Sequence, residues 1–204
     1  MTWRFDLPRP DDFGVKVVVF DVGETLVDET NMWTRAAHAG GVTPFTLMAG
    51  LGATIAQGRH HDDVWGLLGI DHPPGTWTMD DWYPDALPCL ERLRAAGYRV
   101  CVSGNTPAFV EDELRPHVDA VASSASWGVH KPDPGFFARV VELAGAEPGK
   151  IAYVGDRVDN DVGPAIAAGM VGVHIRRGPW GHLQSPPPEA IRIHSLDELP
   201  EAIA

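Results

Sequence analysis

Short apolar runs alternate with amphipathic stretches along most of the chain. VKVVVF (15–20) is nearly continuous in apolar residues, the pattern of a strand buried on both faces. YRVCV (98–102), DAVAS (119–123), IAYVG (151–155) and VGVHI (171–175) predict four more strands. PDALPCLERLRAA (84–96) sets Leu87, Leu90 and Leu93 near one helical face, with Gly97 as its stop. Thr106-Pro107 caps and opens a helix to about His117. Asp133-Pro134 opens another, with Phe137, Val140, Val141 and Ala144 as its apolar stripe and Gly145 as its stop. A further helix ends at Ala168-Gly169. Strands alternating with helices of this size predict an α/β fold with a doubly wound parallel sheet and right-handed crossovers.

Residues 28–82 break this rhythm, with helical patterns, four tryptophans (Trp33, Trp65, Trp77, Trp82) and no convincing strand. A helical insertion after the first strand is the simplest account, and the tryptophans read as its small core. The division is then 15–27 plus 83–204 for the main body, 28–82 for the insertion and 1–14 for an N-terminal extension. GPWGHLQSPPPEA (178–190) reads as a Pro-rich surface loop, and SLDELPEAI as a terminal helix capped by Ser195 or Asp197. His60-His61-Asp62-Asp63 invites a second-metal reading. Adjacent residues do not share a helix face, however, so a helix N-terminus capped by Asp62 or Asp63 is preferred.

Charge changes the picture of possible partners. Lys and Arg total 16 against 28 Asp and Glu, a net charge of −12 over 204 residues. That balance argues against nucleic acid and anionic membranes, both of which are bound through basic surface. Small anions stay open, because a metal or a local cation can hold them despite the overall sign. Cys89 and Cys101 form neither a metal-type spacing nor a disulfide framework. No apolar run approaches the ~20 residues needed to span a bilayer, and no signal-type stretch opens the chain. A cytoplasmic setting is expected.

Ligands of open parallel sheets bind beyond the carboxyl ends of the strands. The residues that follow each strand are therefore the candidate chemistry. Asp21-Val22-Gly23-Glu24 follows the first, Ser103-Gly104-Asn105-Thr106 the second, and Gly155-Asp156-Arg157-Val158-Asp159-Asn160-Asp161 the fourth; His130-Lys131-Pro132 precedes that strand. Asp21, Asp156 and Asp161 would converge within reach of Lys131. Three adjacent carboxylates repel unless a cation joins them, and an oxygen-lined site of this charge suits Mg²⁺.

These segments resemble the motifs of the haloacid dehalogenase superfamily, most of whose members are phosphatases. KPDPGFF followed by YVGDRVDNDVGPAIAAGM is similar to the third and fourth motifs in order and spacing, and VVVFDVGETLV to the first. The resemblance covers nearly all of 15–204. It implies a Rossmann-like core with a helical cap at 28–82. It further implies a Mg²⁺-dependent phosphatase-like hydrolase acting on a small phosphorylated molecule. Asp21 would be the nucleophile forming an aspartyl-phosphate, and Lys131 would neutralise it and the transferring phosphoryl group. Asp21, the Gly23 carbonyl and Asp156 would ligate the metal, with Asp161 ligating through water or orienting Asp156.

Two positions depart from the pattern. Two residues after the nucleophile the family carries an acid–base Asp, and here stands Gly23. General acid–base help is typically worth ~10²–10⁴-fold, so weakened acid–base catalysis is expected. Glu24 is one candidate replacement, and His38, His60, His61 or Asp62 of the cap are others. In the second motif either Ser103 or Gly104 takes the phosphate-binding position, with Asn105 beside it. Family dehalogenases also lack the second Asp, but they lack the acidic metal motif that is intact here. Phosphonatases use a cap lysine, and 28–82 contains none. A non-catalytic phosphoryl-binding or regulatory protein of the same fold is the alternative.

Overall fold

The computed structural model describes residues 14–73, 78–79 and 81–204. Most of the expected N-terminal extension, together with Trp77, lies outside them. Six strands form one parallel sheet: β1 (Val17–Phe20), β2 (Arg99–Gly104), β3 (Ala120–Ser123), β4 (Ile151–Gly155), β5 (Val171–Ile175) and β6 (Ile191–Ile193). Their order is β3-β2-β1-β4-β5-β6, and every pairing is parallel. The strand direction of growth reverses between β1 and β4, and that point opens the crevice where such sheets bind ligands.

Alternation of side chains along a strand explains why β1 is apolar throughout. Val18 and Phe20 join Leu90 and Leu93 of the helix Ala86–Ala95. Val17 and Val19 join Phe137 and Val140 of the helix Pro134–Ala144. Asp133 caps the latter by accepting a hydrogen bond from the Gly135 N–H at 2.7 Å, and Gly145 ends it in the left-handed conformation. Phe20 stands level with Val102 and Val154, so the residues after β1, β2 and β4 emerge along one edge.

Four expectations change. The helix after β2 is confined to Phe109–Leu114, because a tight turn (Thr106 N–H to Gly104 carbonyl, 3.0 Å) delays its start. The helix before β5 begins as a wide π turn, Val158–Val162, and becomes α-helical over Gly163–Ala167. The Pro-rich stretch 178–190 contains a helix, Gly178–Leu183, with Pro179 in its first turn and Trp180 buried, and β6 follows it. The terminal helix is Leu199–Ala202 without a side-chain cap, since it starts four residues beyond Ser195, whose hydroxyl donates to Asp85 at 2.7 Å and accepts from the Asp197 N–H at 3.1 Å.

Residues 28–82 hold the helices Thr30–Ala39, Pro44–Ala56 and Asp63–Leu68. Thr43 caps the second, with Pro44 in its first turn. Trp33, Leu47, Leu51, Val64 and Trp65 form a cluster of their own, joined by Trp180 from across the crevice. Trp82 packs instead against the main core. The two ends of the segment meet where the Asp28 N–H donates to the Asp81 carbonyl at 2.8 Å. Among the described residues no single helix is long and apolar enough to cross a membrane.

Candidate active site

Asp21 follows β1 directly and anchors its N–H on the Val154 carbonyl at 2.9 Å. Lys131, with its side chain 1% exposed, donates from Nζ to Asp21 Oδ1 and to Asp161 Oδ1, each at 2.6 Å. Asn105 fixes that lysine from the second motif: its Oδ1 accepts from the Lys131 N–H at 2.8 Å and its Nδ2 donates to the Lys131 carbonyl at 3.1 Å. Asp156 follows β4, and its Oδ2 is buried without a hydrogen-bond partner among the described residues. Asp21, Asp156 and Asp161 each bring a carboxylate oxygen within 4.8 Å of the others.

The electrostatics follow from crowding four charges under little water. Burial opposes the Lys131 charge, but Asp161 and Asp21 outweigh it and hold the ammonium well above its ordinary pKa. Asp156 is driven well above the carboxylate range by burial, then by Asp161 and Asp21. Burial raises Asp161 to about 6 against the opposing pull of Lys131. A buried, unpartnered carboxylate oxygen beside two more carboxylates is a donor set short of positive charge, which a hard divalent cation supplies.

The second-motif candidates separate. Ser103 is fully buried, and its Oγ has no hydrogen-bond partner among the described residues. Gly104 abuts the carboxylate of Asp21, where a Cβ would stand 2.6 Å from Oδ1. Glu24 is also placed clearly. It adopts φ +52°, unusual for a residue with a side chain, at a cost of about 1–3 kcal/mol. Its Oε2 accepts from the Tyr83 hydroxyl at 2.6 Å and its Oε1 from the Glu29 N–H at 3.0 Å. Glu24 thus ties the loop after β1 to the start of the insertion. Burial raises its pKa despite the hydrogen bond from Tyr83.

One carboxylate escaped the sequence reading. Glu29, just before the helix Thr30–Ala39, faces the same cavity as Asp21 and Asp156. Loss of water around it, reinforced by the nearby Glu24, pushes it up to about 8. No motif marks it in the sequence; the available signal was an acid at the start of an inserted helix.

A family model for haloacid dehalogenase-like hydrolases matches residues 15–169. The chain belongs to the haloacid dehalogenase-like hydrolases. Among curated relatives, a glyceraldehyde 3-phosphate phosphatase of Methanopyrus kandleri is 36% identical over 83% of this chain and 88% of its own length. One of the same name from Methanocaldococcus jannaschii is 32% identical over 72% of each. This hydrolase is accordingly an enzyme of phosphatase type. Its fold matches the magnesium-bound HAD-hydrolase YfnB of Bacillus subtilis, with a TM-score of 0.69 at 17% identity over 93% of this chain and 98% of the other.

The hydrolase encloses a cavity of about 320 Å³ above the carboxylates, a size suited to a small molecule. Trp33, Trp65 and Trp180 wall it, and Arg157 lies 4.9 Å over the Trp180 ring while paired with Asp159. At its rim His60, His61 and His72 surround Asp62, with nitrogen–oxygen distances of 3.4, 3.4 and 3.5 Å. Asp62 stands at the start of its helix, as expected, but makes no side-chain cap bond. His38 is exposed on the helix Thr30–Ala39 and does not line the cavity.

His61 packs edge-on against Trp33 and Trp180, and burial lowers its pKa to about 4 against the pull of Asp62, with His60, His72 and Arg157 adding to the depression. A depressed histidine favours the neutral form in the fold. Its contribution to stability is therefore full above the ordinary value near 6.5 and is lost as pH falls towards about 4. The wild type is expected to lose more of its thermal midpoint between pH 7 and pH 4.5 than His61→Gln, as read by differential scanning calorimetry. Parallel losses would contradict this.

Proposed function

We propose that this enzyme is a Mg²⁺-dependent phosphatase that removes phosphate from a small phosphorylated molecule through an aspartyl-phosphate on Asp21. The observation that carries the reading is the Lys131 bridge between Asp21 and Asp161, beside the unpartnered oxygen of Asp156. Asp21, the Gly23 carbonyl and Asp156 would hold the metal. Asp161 suits an orienting role, because its two oxygens already accept from Lys131 Nζ and from the Arg157 N–H at 3.1 Å. When bound, the ion offsets the charge of the phosphoryl group as it transfers.

The chain's own groups do the rest. Asp21 presents one carboxylate oxygen to phosphorus. Lys131 neutralises nucleophile and phosphoryl group together, and Gly104 leaves room for the phosphoryl oxygens beside Asp21, with its backbone N–H a further contact; Asn105 holds Lys131 in place. The expected weakening of acid–base catalysis depends on whether another group replaces the side chain missing at Gly23. Residues 28–82 act in this reading as a cap over the core of 15–27 and 83–204. Two buried free thiols, Cys89 and Cys101, support a reducing, cytoplasmic setting. The relatives' names make glyceraldehyde 3-phosphate the first substrate to try.

Turnover of glyceraldehyde 3-phosphate, phosphoserine, acetyl phosphate and p-nitrophenyl phosphate should fall ~10²-fold or more when EDTA replaces Mg²⁺. Mg²⁺ at about 100 times its Kd should add about 2.7 kcal/mol of stability. Binding of Mg²⁺ and phosphate without turnover of any ester would favour the non-catalytic alternative. No response to Mg²⁺ in either measurement would remove the metal.

A further inference from the structure

Gly23 lacks the side chain that family phosphatases use as acid and base, yet its place is filled. A Cβ on Gly23 would lie 2.8 Å from Glu29 Cδ and closer still to Oε1. Backbone strain does not reserve the position for glycine, since Gly23 is not among the residues of positive φ. The positive φ belongs to Glu24, which folds the loop back and grips the Glu29 N–H.

The two glutamates are held differently. Both oxygens of Glu24 are engaged, by the Tyr83 hydroxyl and the Glu29 N–H. Among the described residues Glu29 is fixed through one oxygen: Oε2 accepts from Trp33 Nε1 at 3.2 Å. Its Oε1, without a hydrogen-bond partner among the described residues, is the oxygen nearest the vacant side-chain position of Gly23. The side chain borders the cavity together with Asp21, Asp156 and Lys131.

On the reading of Asp21 as nucleophile, we infer that Glu29 is the acid–base carboxyl of this enzyme, reaching from the start of the inserted helix into the space Gly23 leaves. In the first step an Asp21 oxygen bonds to phosphorus and the bond from phosphorus to the ester oxygen breaks. The departing oxygen keeps the electron pair and takes the Glu29 proton, leaving as an alcohol. In the second, the Glu29 carboxylate takes a proton from water as its oxygen bonds to phosphorus. The phosphorus–Asp21 bond breaks, its electron pair returns to Asp21, and phosphate departs with Glu29 protonated again. Glycine at 23 and glutamate at 29 are then two halves of one arrangement.

Glu29→Gln keeps the shape and the Trp33 contact while removing the proton exchange. Steady-state and burst kinetics with Mg²⁺ should compare an alkyl phosphate with p-nitrophenyl phosphate, whose leaving group needs little protonation. For the alkyl ester, kcat/KM should fall ~10²–10⁴-fold. For the nitrophenyl ester, kcat/KM should fall less than about tenfold, while kcat drops ~10²-fold and one equivalent of nitrophenol appears in a burst, because only the second step then needs the base. Equal losses on both esters without a burst, or rates within about twofold of wild type, would overturn the assignment.

A second pair of variants tests the shared space. Gly23→Asp alone should impair turnover, since its carboxylate collides with Glu29. Gly23→Asp combined with Glu29→Ala should recover at least about tenfold over Glu29→Ala alone on the alkyl ester. Failure of that rescue, or a gain from Gly23→Asp by itself, would also overturn it. A wild type inactive on every ester would sink the phosphatase reading instead, which an unaffected Glu29→Gln in an active background would leave standing.

Discussion

Asp21→Asn should reduce phosphate-ester turnover by about 10⁴–10⁶-fold, the scale on which removal of an enzyme's nucleophile acts. The amide keeps the shape of the side chain but cannot form the acyl phosphate. The substitution should leave the fold intact. Lys131 retains Asp161 at 2.6 Å, and one of the charges that push Asp156 upward is gone. In EDTA the variant should therefore melt at or above the wild-type temperature, because like charges otherwise crowd the site. The stabilisation by Mg²⁺ should shrink, since one of its carboxylates has become neutral. Turnover within tenfold of wild type would place the nucleophile elsewhere. Trapping a phosphoenzyme by rapid acid quench, present in the wild type and absent in Asp21→Asn, reads the same chemistry directly.

Lys131→Met should damage both stability and rate. The lysine is the cation between Asp21 and Asp161, and the Asp161 side chain is completely buried. Methionine fills the volume but leaves those carboxylates uncompensated. Removing one member of a buried ion pair costs about 3–5 kcal/mol. At about 2–4 °C per kcal/mol for a chain of this size, the thermal midpoint should fall on the order of 10 °C. Turnover should fall about 10²–10³-fold, as when one preorganised donor to the transition state is lost. Added Mg²⁺ should restore part of the stability by neutralising the same carboxylates, and little of the rate. A midpoint within 2 °C of wild type in EDTA, measured by calorimetry, would contradict the charge balance described (the threshold is below about 1 kcal/mol for a chain of this size).

The cavity wall draws on residues 28–82 and on the segment after β5. Three tryptophans wall the cavity, and one of them, Trp180, comes from a helix in the segment that reads as a Pro-rich loop. Gly178 allows that helix to start where it does: its φ is +55°, and a Cβ there would lie 2.7 Å from Glu24 Cδ. Arg177 secures the same corner by donating to the Thr25 carbonyl at 2.9 Å and pairing with Asp85. The loop after β1, the start of the inserted helix and the segment after β5 are thereby locked together around Glu24.

Sequence alone places five of the six sheet strands and the four charged groups at their ends; β6 (Ile191–Ile193) came only with the structure. β1 reads as buried on both faces because its alternate side chains enter two different clusters. Asp21, Lys131, Asp156 and Asp161 are legible because each sits at a fixed step from a strand or helix boundary, so local spacing already places them. Gly23 was legible as an absence. What filled it was not, because the approach of Glu29 depends on one left-handed residue, Glu24, turning six residues of loop back on themselves. The same holds for Trp180, whose Gly- and Pro-rich surroundings read as loop until Trp33 and Trp65 gave it something to pack against. Strand ends follow from periodicity along the chain, whereas the partner of an empty side-chain position follows only from how an aperiodic loop turns and packs.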